Sequence, residues 1–193
     1  SRGLGDVYKR QPCEESTDFD LNGKSQGNPN GGYKIVQFRF SNINYPKGKT
    51  SHKETFKIIA KYFYETVATA IMCVDQDIYG FIKPVCNVGE VSLSGGQGAP
   101  IAVTRVEESI SPINNELGIT FMIFFKNVGN GEIFGNVVSA EATFMGKLLE
   151  CDDEIKLRKG TSEQKMKCFL KIKKGKGSYT APLTIRLGYT YIY

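Results

Sequence analysis

The sequence predicts an all-β fold built from antiparallel sheets. It contains 12 Phe, 10 Tyr and 21 Gly, and abundant aromatic and β-branched residues punctuated by glycine are typical of strands separated by turns. Strand-like runs return roughly every dozen residues, and no helical pattern lies between them. Because the loops between these runs are short, we expect antiparallel hairpins stacked as a β-sandwich and no parallel βαβ units.

The first eleven residues, SRGLGDVYKRQ, lack any apolar period and any feature of a secretory signal. Their back-translation resembles a transposase-end sequencing adapter along every codon, so we interpret residues 1–11 as an adapter-derived artefact. Three of the 25 basic and one of the 20 acidic residues lie there, which leaves a net charge of +3 in place of +5. We expect the native polypeptide to begin upstream of Pro12 and to carry a membrane anchor in that missing segment.

A glycine-rich stretch divides the remaining 182 residues. Residues 92–100 (SLSGGQGAP) hold three Gly and one Pro, which the interior of a strand does not tolerate. We therefore predict a linker there, because the remaining length suits two small domains. The first β-sandwich domain would cover 12–91, truncated at its N-terminus, and the second 101–193.

Alternation of apolar and polar residues predicts which side of each strand faces the core. A strand is predicted over residues 33–43, where apolar side chains alternate from Val36 to Phe40. FKIIAKYFY (56–64) and TVATAIMCV (66–74) are predicted as two further strands. The inward positions of the last two strands are Met166, Cys168, Leu170 and Ile172 in one, and Leu183, Ile185, Leu187, Tyr189 and Tyr191 in the other.

Four of the five cysteines form two pairs that are close in sequence. Cys73 and Cys86 flank the loop DQDIYGFIKP and would join neighbouring strands, while Cys168 on a core face could reach Cys151. A disulfide across either short loop contributes about 3 kcal/mol in the chain-entropy model and indicates an oxidising compartment outside the cytoplasm. The alternative is four buried free thiols of a cytosolic protein. Cys13 is left over, and its partner would lie in the missing segment.

The residue pattern does not favour catalysis. The single histidine, His52, lies in a polar turn far from every cysteine, so neither a zinc site nor a nucleophile with an adjacent base is indicated. No two carboxylates stand in an apolar setting that would make them an acid and base pair. We expect no enzymatic activity and no cofactor.

Two acidic stretches are weak calcium candidates. Asp18, Asp20 and Asn22 in DFDLNGKSQGNP match the opening of an EF-hand loop, but its twelfth position is a proline where a bidentate Glu is required. Asp75 and Asp77 form a second oxygen cluster at a predicted loop. A polar turn with side-chain hydrogen bonds to the backbone explains each stretch equally well.

The strand FMIFF (121–125) is apolar on both faces. Met122 and Phe124 must therefore be covered by the other sheet or a neighbouring domain, or else form an exposed contact patch.

Four lysines alternate along the outer side of a later strand: Lys165, Lys167, Lys171 and Lys173. The near-neutral remainder of the chain argues against nucleic acid. We expect this possible contact surface to meet anionic surface polymers or lipid headgroups.

Several stretches resemble a known family: YETVATAIMCVDQD, SLSGGQGAPIAVTRVEE, ITFMIFFKNVGNGEIF, the LEC and KCFLKI pair, and TAPLTIRLGYTY. The family is one of uncharacterised proteins predicted from small-genome archaea, and the resemblance spans about residues 60–193. It implies tandem immunoglobulin-like domains exposed on the cell surface, with the second similar to adhesion-type modules built around a KNVG turn, here residues 126–129.

These observations favour a non-catalytic structural or interaction module of a cell-surface or envelope protein, located outside the cell. Its expected partners are other envelope proteins or surface polymers, and no nucleic acid. Two alternatives stay open: a calcium-dependent adhesin or carbohydrate-binding module that uses the acidic loops, and an accessory domain of an envelope enzyme.

Overall fold

A computed structural model describes most of the chain from residue 19 onward. The described residues are 19–24, 27–37, 48, 53, 58–77, 79–94, 97–152, 155–157 and 163–193. Among them the chain forms two antiparallel β-sheets and no α-helix. The all-β prediction is therefore confirmed.

The first sheet has six strands and contains the first and the last strand of the described residues. The strands are β1 (Lys61–Asp75), β5 (Glu132–Ile133), β6 (Val137–Phe144), β7 (Lys147–Leu148), β9 (Ile155–Lys156) and β11 (Ser178–Ile192). Their order is β1-β11-β6-β7, with β5 paired to β11 and β9 paired to β6. A short 3-10 turn, Phe134–Asn136, follows β5.

The second sheet has five strands in the order β2-β3-β4-β10-β8. They are β2 (Glu90–Ser92), β3 (Ile101–Ile113), β4 (Glu116–Asn127), β8 (Glu150–Cys151) and β10 (Gln164–Lys173). The FMIFF stretch thus lies in β4, the central strand of this sheet.

The two sheets pack face to face over one apolar core. Phe121 of β4 meets Phe144 of β6 with ring centroids 5.1 Å apart, so the contact joins the two sheets. Burying one such side chain contributes about 1.5–3 kcal/mol. The predicted inward stripes of β10 and β11 are confirmed: Met166, Cys168, Leu183, Ile185, Leu187, Tyr189 and Tyr191 are buried, and Leu170 and Ile172 are partly buried.

The predicted division at residues 92–100 does not separate two sandwiches. β1 precedes this stretch, yet it pairs with β11 along its whole length, from Lys61 opposite Ile192 to Asp75 opposite Ser178. β2 and β3, on either side of the stretch, also pair with each other. Both sheets therefore contain strands from both sides, and the predicted boundary between 12–91 and 101–193 is wrong for the described strands.

The glycine-rich stretch instead connects β2 and β3, two paired strands of one sheet. The Gln97 side chain accepts a hydrogen bond from the Val103 amide at 2.8 Å and donates to the Val103 carbonyl at 3.2 Å. Ala99 next to it is buried. The stretch is thereby folded back onto the start of β3.

The first strand predicted from the sequence is absent among the described residues, whereas the next two predicted strands are largely present. Residues 33–37 form no strand, because they have no sheet partner among the described residues. The two runs predicted over 56–64 and 66–74 join in the single strand β1, which begins at Lys61; the described residues 58–60 before it are not in a strand. Residues 1–11, Cys13 and His52 lie outside the described residues, so the predictions for them stay predictions.

Candidate functional site

Both predicted disulfides are present. Cys151 and Cys168 are directly opposite each other in the β8–β10 pair and are bonded with an S–S distance of 2.06 Å. Cys168 is fully buried on the core face, as its position in the alternating pattern predicts. This bridge links two adjacent strands of one sheet.

The second disulfide links β1 to an irregular segment. Cys73 of β1 is bonded to Cys86 with an S–S distance of 2.07 Å. Cys86 lies in no strand, so the expectation that this bridge joins neighbouring strands is wrong. The Val85 amide next to it donates to the Ser178 hydroxyl oxygen at 2.7 Å, which holds the segment at the start of β11.

The acidic loops use their oxygens within their own turns. Asp75 Oδ1 accepts from the Asp77 amide at 2.9 Å, and Asp77 Oδ2 accepts from the Ile82 amide at 2.5 Å. Asp20 and Asn22 lie in an exposed extended segment, and Asp18 is outside the described residues. Within the described ranges no cluster of three or more His, Cys, Asp or Glu side chains could hold a metal ion.

The residues of the expected contact surface lie on one face of the five-stranded sheet. We call this surface the lysine face and define it as Met122, Phe124, Lys165, Lys167, Lys171 and Lys173. Lys165 stands opposite Phe124 and Lys167 opposite Met122 in the β4–β10 pair. All four lysines are exposed.

An arginine covers Phe124, rather than another sheet. The guanidinium carbon of Arg105 lies 3.6 Å from the centroid of the Phe124 ring. Arg105 Nη1 donates to Glu163 Oε2 at 2.5 Å, and the Thr104 hydroxyl donates to Glu163 Oε1 at 2.6 Å. The hydrogen bond from Thr104 contributes most to lowering the pKa of the Glu163 carboxyl, and the hydrogen bond from Arg105 lowers this pKa further. Phe124 is thus half-buried under a fixed ion pair.

Four tyrosines form a cluster at one end of the six-stranded sheet. The sequence predicts that Tyr189 and Tyr191 face inward, but not that they pair with Tyr62 and Tyr64. Tyr62 is opposite Tyr191 and Tyr64 is opposite Tyr189, with ring centroids 5.9 and 6.0 Å apart. Burial is the largest cause that raises the pKa of Tyr62, and the neighbouring Tyr191 and Tyr64 raise it further. The alternating tyrosines of KYFY and GYTYIY were the available signal, because alternate residues of paired strands share one face.

Buried hydrogen bonds fix this cluster. The Thr66 hydroxyl donates to the Ile101 carbonyl at 2.8 Å, and the Tyr189 hydroxyl accepts from the Ile101 amide at 3.1 Å. The two hydroxyls are 2.8 Å apart, so Tyr189 donates to Thr66, whose proton is already used. Burial raises the pKa of Tyr189 to about 12. Tyr189 therefore connects the two sheets and stays protonated.

The KNVG turn is fixed by Asn127. Its Oδ1 accepts from the Gly129 amide at 3.0 Å and from the Tyr191 hydroxyl at 3.2 Å, and its Nδ2 donates to the Gly131 carbonyl at 2.9 Å. A Cβ at Gly131 would overlap the Ile192 carbonyl oxygen, so glycine is required at that close approach.

A cleft of about 890 Å³ opens above the tyrosine cluster. We call it the tyrosine cleft. Its lining includes aromatic side chains from two segments and two amides: Phe19, Tyr62, Phe63, Tyr64, Asn22 and Asn30. Aromatic surface with a few polar groups is typical of ligand pockets.

Glu108 is a buried carboxylate on the core side of β3. Neither of its oxygens has a hydrogen-bond partner among the described residues. Burial raises its pKa to about 7, and the nearby Cys73 amide opposes the shift without forming a well-aligned hydrogen bond. An uncompensated buried charge costs free energy, so Glu108 weakens this part of the core above neutral pH.

Comparisons of the chain with protein-family models, with curated proteins and with solved structures give no match. The resemblance to archaeal surface proteins therefore stays a prediction. In the part of the chain that the structure describes, no helix has the length and apolar character needed to cross a membrane.

Proposed function

We propose that this chain is a non-catalytic structural or interaction module of a cell-surface protein, placed outside the cytoplasm. The observation that carries the proposal is the pair of disulfides, Cys73–Cys86 and Cys151–Cys168, within one sandwich. Disulfides persist in oxidising compartments and are rare in cytosolic proteins.

The surroundings of the disulfides support a scaffold role. The core between the sheets is fully apolar at Phe121, Ile123 and Phe125, and buried hydrogen bonds from Thr66 and Tyr189 connect the sheets. Such a framework presents its outer faces rigidly to partners, which we propose are envelope proteins or surface polymers. The finer assignment, an immunoglobulin-like arrangement of the two sheets, is part of this proposal.

The proposal is tested by comparing the oxidised and the reduced protein. Loss of both disulfides lowers the free energy of unfolding by about 5 kcal/mol, about 3 kcal/mol from Cys151–Cys168 and about 2 kcal/mol from Cys73–Cys86. For a chain of this size each kcal/mol changes the melting temperature by about 2–4 °C. We expect the melting temperature to fall by at least about 10 °C with reductant, whereas equal melting temperatures in both states would remove the basis for an oxidising location.

The tyrosine cleft favours one part of the second candidate function, a carbohydrate-binding module. Phe63 is exposed at the wall of the cleft, and Asn22 and Asn30 also line it. Titration calorimetry with neutral oligosaccharides, repeated with millimolar calcium, distinguishes the candidates. Heat of binding that Phe63→Ala abolishes would establish the carbohydrate candidate, calcium-dependent heat would establish the adhesin, and flat traces leave the structural module.

A further inference from the structure

Four lysine side chains project from the same side of β10. Residues of a strand alternate between its faces, so Lys165, Lys167, Lys171 and Lys173 share the outer face. Successive residues on one face are roughly 6.7 Å apart, and the first and last lysine are separated by roughly 27 Å of strand. The row is therefore linear, with Phe169 at its middle position between two pairs of lysines, and it is too long for one small anion.

The acidic side chains nearest in the neighbouring strands do not neutralise this row. In the described residues, Glu90, Glu107 and Glu163 form their ion pairs with Arg105. Glu116 is opposite Lys173 and Glu150 is opposite Phe169, but neither forms an ion pair there. Arg105 thus takes up Glu90, Glu107 and Glu163. Glu116, Glu150 and Asp152 stay beside the row, and the Asp152 carboxylate accepts from the Lys167 backbone amide at 2.9 Å. Within the described residues none of the three forms an ion pair with the four lysine ammonium groups.

An uncharged track runs beside the lysines on β4. The residues opposite the row, from Phe124 to Gly118, alternate through Met122 and Thr120 and carry no charge. The Phe169 ring lies over Gly118, where an added Cβ would meet it at 2.9 Å. A polymer lying along this track meets Lys165, Lys167 and Lys171 on one side, with no carboxylate directly opposite these three on β4, whereas Glu116 stands opposite Lys173 at the end of the row.

We propose that the lysine face binds a linear polyanion whose charges repeat at about the spacing of alternate strand residues. Individually weak contacts made along one chain add through effective concentration, so a polymer binds where a single anion does not. The proposal rests on the proposed function only for the location of the polymer outside the cytoplasm. Single-stranded nucleic acid is disfavoured, because Arg105 already covers Phe124, the aromatic side chain available for base stacking on β4.

The test measures the affinity for sodium polyphosphate and for polygalacturonate at several salt concentrations. One variant replaces the row: Lys165→Gln, Lys167→Gln, Lys171→Gln and Lys173→Gln. A matched control with the same change in net charge replaces four exposed lysines elsewhere: Lys53→Gln, Lys83→Gln, Lys147→Gln and Lys156→Gln. Thermal melts of both variants verify that these exposed substitutions leave the fold intact.

We expect the row variant to bind at least one of the two polymers about 100-fold more weakly or worse, and the control to stay within about threefold. The slope of log affinity against log salt should become shallower by about 3, because about four charge contacts are lost. Equal weakening in both variants, or no binding of the unsubstituted protein at physiological salt, would overturn the proposal. Tighter binding to single-stranded nucleic acid or to anionic vesicles than to either polymer would also overturn it. The melting comparison of the oxidised and the reduced protein is independent of all these outcomes.

Discussion

The two disulfides close segments of similar length but lie in different surroundings. Their sequence separations are 13 and 17 residues. Cys151–Cys168 reinforces a pair of adjacent strands, with Cys168 in the core. Cys73–Cys86 holds a segment whose large apolar side chains are mostly outside: Tyr79, Phe81 and Val85 are 72%, 85% and 78% exposed. Loop length alone therefore does not determine what a disulfide contributes.

The core around the two disulfides also differs, because one side contains a buried polar group without a hydrogen-bond partner in the described part of the chain and the other is apolar. Near Cys73 the core contains the carboxylate of Glu108 without a hydrogen-bond partner among the described residues. At Cys168 the neighbouring core side chain Met166 is apolar and fully buried. The structure thus combines one regular, well-packed disulfide region with one that depends more on its covalent link.

Replacing both cysteines of the strand-to-strand bridge should have the largest effect. We expect Cys151→Ala with Cys168→Ala to lower the free energy of unfolding by about 3 kcal/mol, since the unfolded chain regains its loop entropy. Urea denaturation measures this loss. A loss smaller than that of the Cys73 and Cys86 variant would contradict the comparison.

Glu108→Gln should stabilise the protein in a pH-dependent way. The folded pKa is raised from 4.5 to about 7, so the folded state binds the proton more tightly than the unfolded state does. The resulting stability is complete below about pH 4.5 and is lost as the pH rises through 7. We expect Gln to gain about 3 kcal/mol at pH 8 relative to the original protein, and nearly nothing at pH 4.5. Parallel pH profiles of the two proteins would show that Glu108 is not the cause.

Cys73→Ala with Cys86→Ala should cost less in global stability, about 1–2 kcal/mol. The freed segment regains conformational entropy in the folded state as well, which offsets part of the loss. Limited proteolysis should then cut within residues 79–89 much faster than before. Protection equal to that of the disulfide-bonded protein would mean that non-covalent contacts suffice to hold the segment.

Thr66→Val supplies a reference away from both disulfides. It removes the hydrogen bonds to the Ile101 carbonyl and the Tyr189 hydroxyl with little change in shape, and we expect a loss of about 1 kcal/mol. Tyr189→Phe should cost about the same, and the double variant less than the sum, because the two groups share one network. Strict additivity in chemical denaturation would contradict that network.

Local pattern was enough to predict the sides of the strands and the cysteine pairs. Alternation placed Cys168 in the core, and short spacing paired it with Cys151, because both features depend on neighbouring residues. The pairing of β1 with β11 joins residues more than a hundred positions apart, such as Lys61 and Ile192, and no local composition reports it. The glycine-rich 92–100 stretch marked a connection between strands, but such a connection is not a domain boundary.

The sequence also could not predict which side chain covers Phe124. The β3–β4 register shifts between Val103 and Arg105, and this shift brings Arg105 opposite Phe124. A one-residue irregularity of this kind decides which side chains meet, and a bulge has no reliable sequence signal in a run of strand-forming residues. Predicting the tyrosine cluster would likewise have required the register between β1 and β11.

The most direct test of the extracytoplasmic proposal is a count of free thiols. The protein is produced by a secretory route, denatured without reductant, and titrated with a thiol reagent. We expect no more than one reactive thiol among the five cysteines, from Cys13. Four or five reactive thiols would contradict the proposal and return the cysteines to the role of core thiols in a cytosolic β-sandwich.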